Sequence, residues 1–184
     1  MTRRSLVPIG LLLLAGCGGG SEGLDYFPNV GVYEASPAQA RVDRSFSDIL
    51  IITPLDQLGS RLTEIRVNGC EELGECHWRD AGGVRYGFWA DEPFAYFVVD
   101  KWVKADEFEG RPISALGVGQ ARERREVLRA ARRFVPEATF ECHEWREESQ
   151  WETCQAFLSP GHVTIEFDKQ GALVQVHLSG YHYT

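Results

Sequence analysis

The chain has no apolar run long enough to cross a bilayer. Its longest, Leu6 to Ala15, holds ten residues and is broken by Pro8 and Gly10. At ~1.5 Å per helical residue such a run spans roughly 15 Å, about half of a hydrocarbon core. A transmembrane helix is thereby excluded, and a secretory leader remains. Basic charge is also scarce: 19 Lys and Arg stand against 27 Asp and Glu, a net charge of −8. That balance argues against nucleic acid and against general adhesion to anionic headgroups. The one G-x-S-x-G match, Gly19 to Gly23, falls in a glycine-rich linker and not at a strand-to-helix turn, so it is no nucleophile signature. Gly117-Val118-Gly119 lacks the flanking pattern of a phosphate-binding loop. His77, His143, His162, His177 and His182 have no motif context and read as surface or strand-face residues. Carboxylate pairs such as Glu71-Glu72 and Glu147-Glu148 are plentiful, but abundance is not the differently tuned pair that acid–base work needs. These absences predict a non-enzymatic chain with no cofactor and no metal.

What is present begins with the leader. Arg3 and Arg4 form a short basic segment, no acidic residue occurs before Glu22, and the apolar stretch ends on Leu14-Ala15-Gly16-Cys17. This resembles the lipobox of bacterial lipoproteins: an aliphatic residue, a small residue, Gly or Ala, then Cys. The resemblance implies that residues 1–16 are a signal peptide removed before Cys17, whose sulfur carries a diacylglycerol and whose new amino group is acylated. Several acyl chains, at ~0.8 kcal/mol per buried methylene, anchor a protein durably. Gly18 stands where an aspartate would favour inner-membrane retention, so the resemblance points to the periplasmic side of the outer membrane. Without Arg3 and Arg4, 17 basic residues face 27 acidic ones, about −10. Solubility explains that acidity, and a basic partner is compatible with it.

With Cys17 lipidated, Cys70, Cys76, Cys142 and Cys154 remain. Four cysteines in an exported chain point to two disulfides, with three pairings open. Zinc is the rival, because His77 and His143 each follow a cysteine. Their spacing fits no structural zinc pattern, and exported thiols oxidise. Gly18-Gly19-Gly20-Ser21-Glu22-Gly23 reads as a flexible linker. Residues 24–44, with Tyr26, Phe27, Val30, Val32 and Tyr33 among Pro28, Gly31 and Pro37, read as an extended arm.

From Arg44 onward the pattern occurs twice. Leu58-Gly59, a helical pattern, Cys70 with Cys76, and Gly83 before Val84–Phe88 and Phe94–Val99 make the first occurrence. Leu116-Gly117, a helix, Cys142 with Cys154, and Gly161 before His162–Phe167 and Ala172–Leu178 make the second. Cys76 to Gly83 and Cys154 to Gly161 are both seven residues. A duplication places each disulfide within its own half, Cys70–Cys76 and Cys142–Cys154.

Leu55, Leu58, Leu62 and Ile65 recur at helical spacing, with Thr53 as N-cap and Pro54 at the first helical position. A second helix is predicted from Gln120 to Phe134, stopped by Pro136. Asp168-Lys169-Gln170-Gly171 is a turn joining the last two strands into a hairpin. The expected fold is α+β: two similar helix-loop-antiparallel-sheet repeats packed as one two-layer domain, each with a disulfide. Residues 45–110 form the first repeat and 111–184 the second, after the lipidated cysteine and tether of 17–44.

The arrangement resembles two groups of exported bacterial proteins, the SmpA/OmlA lipoproteins of outer-membrane assembly and the β-lactamase inhibitor proteins. The residues that carry the likeness are Leu116-Gly117 with Gly119, Glu126-Val127-Leu128, Cys142 with Cys154, and Phe167-Asp168 before Gly171. The first half departs from it, with Asp91-Glu92-Pro93 where the second half has its turn. What the resemblance implies is a class of function, binding another envelope or exported protein. An inhibitor or immunity role and an outer-membrane assembly role both fall within that class.

Charge is segregated in the second half. Arg122, Arg124, Arg125, Arg129, Arg132 and Arg133 load the helix; Glu144, Glu147, Glu148 and Glu152 load the segment between the cysteines, with Glu141 just before it. Solvated, mutually paired faces are the plain reading. The functional reading makes the acidic loop a recognition element for a basic protein, flanked by Trp145 and Trp151, a residue type enriched at binding hot spots. Trp89, with Trp78, Tyr86, Phe88, Tyr96 and Trp102, forms an aromatic surface if it lies on an open sheet face, and core if it faces the helices. The alternative function is a periplasmic carrier of lipid or a small molecule, with an apolar cavity under the sheet.

Overall fold

The computed structural model describes residues 34–65, 75–89, 97–143 and 151–180. They form two helices, α1 (Pro37–Phe46) and α2 (Arg124–Phe134), and eight strands. The strands are β1 (Leu62–Ile65), β2 (Glu75–Asp80), β3 (Arg85–Trp89), β4 (Val98–Lys104), β5 (Glu141–His143), β6 (Glu152–Phe157), β7 (His162–Phe167) and β8 (Leu173–Ser179). All eight join one antiparallel sheet in the order β1-β2-β3-β4-β8-β7-β6-β5. Each helix precedes a run of four strands, and the two runs meet where β4 pairs with β8, from Asp100 opposite Ser179 to Lys104 opposite Gln175. The fold is α+β. No helix of the described residues is long and apolar enough to span a membrane.

The first helix is not where leucine spacing puts it. Leu55–Gln57 and Gly59–Arg61 are single 3-10 turns, and Leu62 to Ile65 is strand. Gly59 adopts a φ of +49°, in the left-handed region, which ends any helix there. Thr53, the expected cap, instead pairs its backbone with Val98, and Pro54 bridges Phe97. Leu58 and Leu62 are buried all the same. The helix of the first half is α1, inside the stretch read as an extended arm, and it crosses the 44/45 boundary drawn from sequence.

Ser36 caps α1 by accepting the Gln39 N–H at 3.1 Å, and Pro37 occupies the first turn, where a missing N–H costs nothing. Ala38, Val42 and Phe46 face inward at four-residue spacing, but the same buried side also carries Gln39 and Asp43. That polar content hides the apolar stripe. Helix α2 begins four residues later than expected, because Arg122 and Arg124 pair their backbones with Leu173 and Gly171. It ends at Phe134, two residues before Pro136, with Val127, Leu128, Ala130 and Ala131 buried.

Both helices share one core with the sheet, where Tyr86, Phe88, Val163, Ile165, Phe167 and Val176 are fully buried. Strand β7 and the Asp168–Gly171 turn match expectation. Asp168 Oδ1 accepts the N–H groups of Gln170 and Ala172, and Gly171 takes a φ of +80°. Strand β3 ends one residue later than expected, β8 lies one residue further along, and β4 runs on to Lys104.

Cys142 and Cys154 lie directly opposite on β5 and β6, Cα atoms 3.9 Å apart, and are disulfide-bonded. A sequence separation of 12 predicts that replacing both with serine lowers unfolding free energy by about 3 kcal/mol. Urea denaturation without reductant checks it, and reductant should shift the native chain by more than it shifts the double variant. Cys70 lies outside the described residues, as does the side chain of Cys76.

Candidate protein-binding face

Alternation along each strand divides the sheet. Tyr86, Phe88, Lys101, Val103, Val163, Ile165, Phe167, Val176 and Leu178 point to the helices and are buried. Their strand neighbours point to the other side, where Gly87, Thr164 and Ser179 are buried, His77, Trp102, His162 and His177 are half-buried, and Phe157 is exposed. Register shifts at Gly87–Phe88 and at Glu166–Phe167, and on the near side of both shifts the outward residues line up in rows across the sheet. One row reads Ile65, His77, Gly87, Asp100, Ser179, His162, Phe157. The next reads Thr63, Arg79, Arg85, Trp102, His177, Thr164, Gln155, Glu141.

The rings of these rows touch in sequence. His77 meets Trp102 edge-on at 4.8 Å between centroids, Trp102 meets His177 at 6.1 Å, His177 meets His162 at 6.5 Å, and His162 meets Phe157 at 6.3 Å. Gly87 makes room for the first contact. A Cβ there would stand 3.2 Å from Asp100 Cβ and 3.5 Å from the Trp102 ring. Asp100 Oδ1 lies 3.3 Å from His177 Nε2. The belt ends on Phe157, 58% exposed, a large apolar surface left to solvent.

Charge differs between the two ends of the face. Around β2 and β3, Arg85 pairs with Glu107 and Arg79 lies 3.8 Å from it. The Arg85 hydrogen bonds hold the Glu107 carboxyl below the usual carboxylate range. Around β7, burial pushes the Glu166 carboxyl up, opposed by nearby His177 and a hydrogen bond with Gln175. Glu166 lines a cleft of about 460 Å³ with Lys104, Asp106, Asp168, Gln175 and Trp151.

Trp151 is the one partner-binding candidate from the sequence whose side chain is described. It is 41% exposed at the start of β6 and walls that cleft. Glu144, Trp145, Glu147 and Glu148 lie outside the described residues, in the stretch whose base the Cys142–Cys154 disulfide ties. Trp89 closes β3, and its side chain lies outside the description. Tyr86 and Phe88 are core. The Tyr86 hydroxyl donates to Asp80 Oδ2 at 2.6 Å, and burial together with that carboxylate pushes its pKa up. Trp78 packs edge-on against Phe88 on the same inner side. Of the first-half aromatics whose side chains are described, Trp102 is the one on the outward face, and Tyr96 lies outside the described residues. Sequence reading passed over Phe157 and treated His77, His162 and His177 singly. Outward alternation marks each of them, but only strand order brings β2, β4, β8, β7 and β6 together.

The disulfide occupies both thiols of the one group of potential metal ligands among the described residues, Cys142, Glu152 and Cys154. Glu152 is also held by Arg124 at 2.6–3.0 Å. No protein-family model matches the chain, and no curated protein or solved structure matches it.

Proposed function

We propose that this chain is a membrane-anchored, non-enzymatic protein-binding module of the bacterial envelope, which engages its partner through the open face of the sheet. The observation that carries the reading is the belt of His77, Trp102, His177, His162 and Phe157 on a face opposite the helix layer. Aromatic side chains bury large area at small entropic cost, and a belt rimmed by charge has the make-up of an interface. Anchoring rests on Leu14-Ala15-Gly16-Cys17, and Gly18 after the cysteine favours the outer membrane.

Two further observations support the wider reading. The order helix then four strands occurs twice, with Cys76 and Cys154 in the second strand of each run and Gly83 and Gly161 just ahead of the third. This favours the duplication, and with it a second disulfide, Cys70–Cys76. The space between sheet and helices is filled by side chains such as Val42, Phe88, Ile165 and Phe167, which favours a binding module over a carrier with a cavity there. An inhibitor or immunity role is the version to test first, because Trp151, Glu166 and Asp168 border the cleft at the acidic end.

The test is capture from envelope extract by the full chain beside its Phe157→Ala and Trp151→Ala variants. A protein retained by the native chain and weakened about tenfold or more by Phe157→Ala is the expected result. Equal retention by all three chains sinks the open-face reading.

A further inference from the structure

The outer side of α2 carries a second surface. Arg125, Arg129, Arg132 and Arg133 are exposed and enter no ion pair among the described residues. At 100° per residue they occupy an arc of about 100°, opposite the buried Val127 and Ala131. The other helix arginines are engaged: Arg122 donates to the carbonyls of Gly119, Ala121, Phe108 and Arg111, and Arg124 to Glu152.

Helix stability does not account for the four. Arg132 and Arg133 suit the negative end of the helix dipole, but Arg125 lies in the first turn, where a cation is disfavoured. Arg125 with Arg129, and Arg129 with Arg133, are like charges at i, i+4, which repel. This concentration of positive charge stands in a chain of net charge −8.

The position of the face supplies the partner. Helix α1 meets the end of α2 through Arg41, whose Nε donates to Phe134 O at 3.2 Å and whose guanidinium pairs with Glu137, just beyond that end. The described chain begins at Glu34, next to α1, so a tether from Cys17 joins the described fold on the side where α1 meets the Arg132–Arg133 end of α2. We infer that the arginine face of α2 rests on anionic phospholipid headgroups, which turns the open sheet face away from the bilayer. The inference rests on the anchored-module reading for its orientation. The acidity of the rest of the chain is screened beyond about 10 Å at ordinary salt, so a local patch can bind a surface that repels the whole chain.

The experiment measures partition of the full chain onto phosphatidylcholine vesicles with and without phosphatidylglycerol, at low and high salt. A variant with all four arginines changed to glutamine serves as comparison, its fold checked by circular dichroism. The leader's apolar and basic residues contribute equally to both chains. Adding phosphatidylglycerol should raise partition of the native chain about tenfold more than that of the variant, and high salt should abolish the difference. The same phosphatidylglycerol dependence in both chains overturns the inference, and so does a difference that salt leaves untouched. The vesicles contain no protein partner, so failure here is separate from failure of partner capture.

Discussion

Replacing Asp43 with alanine is expected to cost about 3–5 kcal/mol, the range for breaking a buried ion pair by removing one partner. Lys101 sits in the middle of β4 with its side chain fully buried, paired with the Asp43 carboxylate of α1. Its ammonium also donates to the Asp43 carbonyl at 3.2 Å, while Asp43 Oδ2 accepts the Ile51 N–H at 3.0 Å. Burial lowers the Lys101 pKa, and Asp43 opposes that shift. Alanine at 43 leaves the Ile51 amide without its acceptor and the buried ammonium with a backbone carbonyl but no counter-charge. Changing Lys101 to methionine together with Asp43→Asn removes both charges and keeps an acceptor for Ile51. That double variant should recover most of the loss in urea denaturation. A double variant as unstable as the single one would show that packing, not charge, is at stake.

The pH dependence has a definite sign. The unfolded chain holds the lysine proton more tightly than the folded one, so this group makes stability rise with pH between the lowered folded value and the ordinary lysine value. Asp43→Ala should steepen that rise.

Gly161→Ala should be comparably damaging, about 3 kcal/mol or more. A Cβ at Gly161 would stand 2.0 Å from Ser179 O, 2.9 Å from the Gly180 carbonyl carbon and 3.0 Å from Gln39 Nε2. None of these can yield cheaply. Ser179 is held in the β7–β8 ladder, and Gln39 is fully buried, accepting the Gly161 N–H at 2.7 Å and donating to Gly180 O at 3.2 Å. Gly110→Ala is the comparison, since Gly110 has a φ of +70° and open space around it. It should cost about 1 kcal/mol, the conformational penalty alone. Thermal unfolding of the two variants decides: equal losses would mean that close approach at Gly161 plays no part.

The second half was the more legible in sequence. His162 to Phe167 alternates cleanly, Asp168 to Gly171 is a turn with glycine at the left-handed position, and Pro136 stops α2. The first half misleads because its signals are divided. Helix α1 buries Gln39 and Asp43 beside Ala38, Val42 and Phe46, since polar partners on other elements await them. That thins the apolar stripe below recognition. Leu55, Leu58 and Leu62 have helical spacing, yet Gly59 divides them between two turns and a strand. Strand β6 went unread because its inward residues, Cys154 and Ala156, are small, and β5 is only three residues long. The belt was beyond reach for a different reason: its members come from five strands, and their adjacency follows from the β4–β8 pairing, which no local pattern announces.

That pairing also governs how the molecule is made. Strand β8 is the last of the eight in chain order, yet its place is at the centre of the sheet beside β4. On the ribosome the β1–β4 run emerges first and presents β4 as a bare edge, until more than seventy further residues have been synthesised. Premature termination before Leu173 would therefore split the sheet at its middle and expose two edges, rather than shorten it at one side. Until β8 is seated, β4 and β7 are unpaired edges that invite pairing with a second chain.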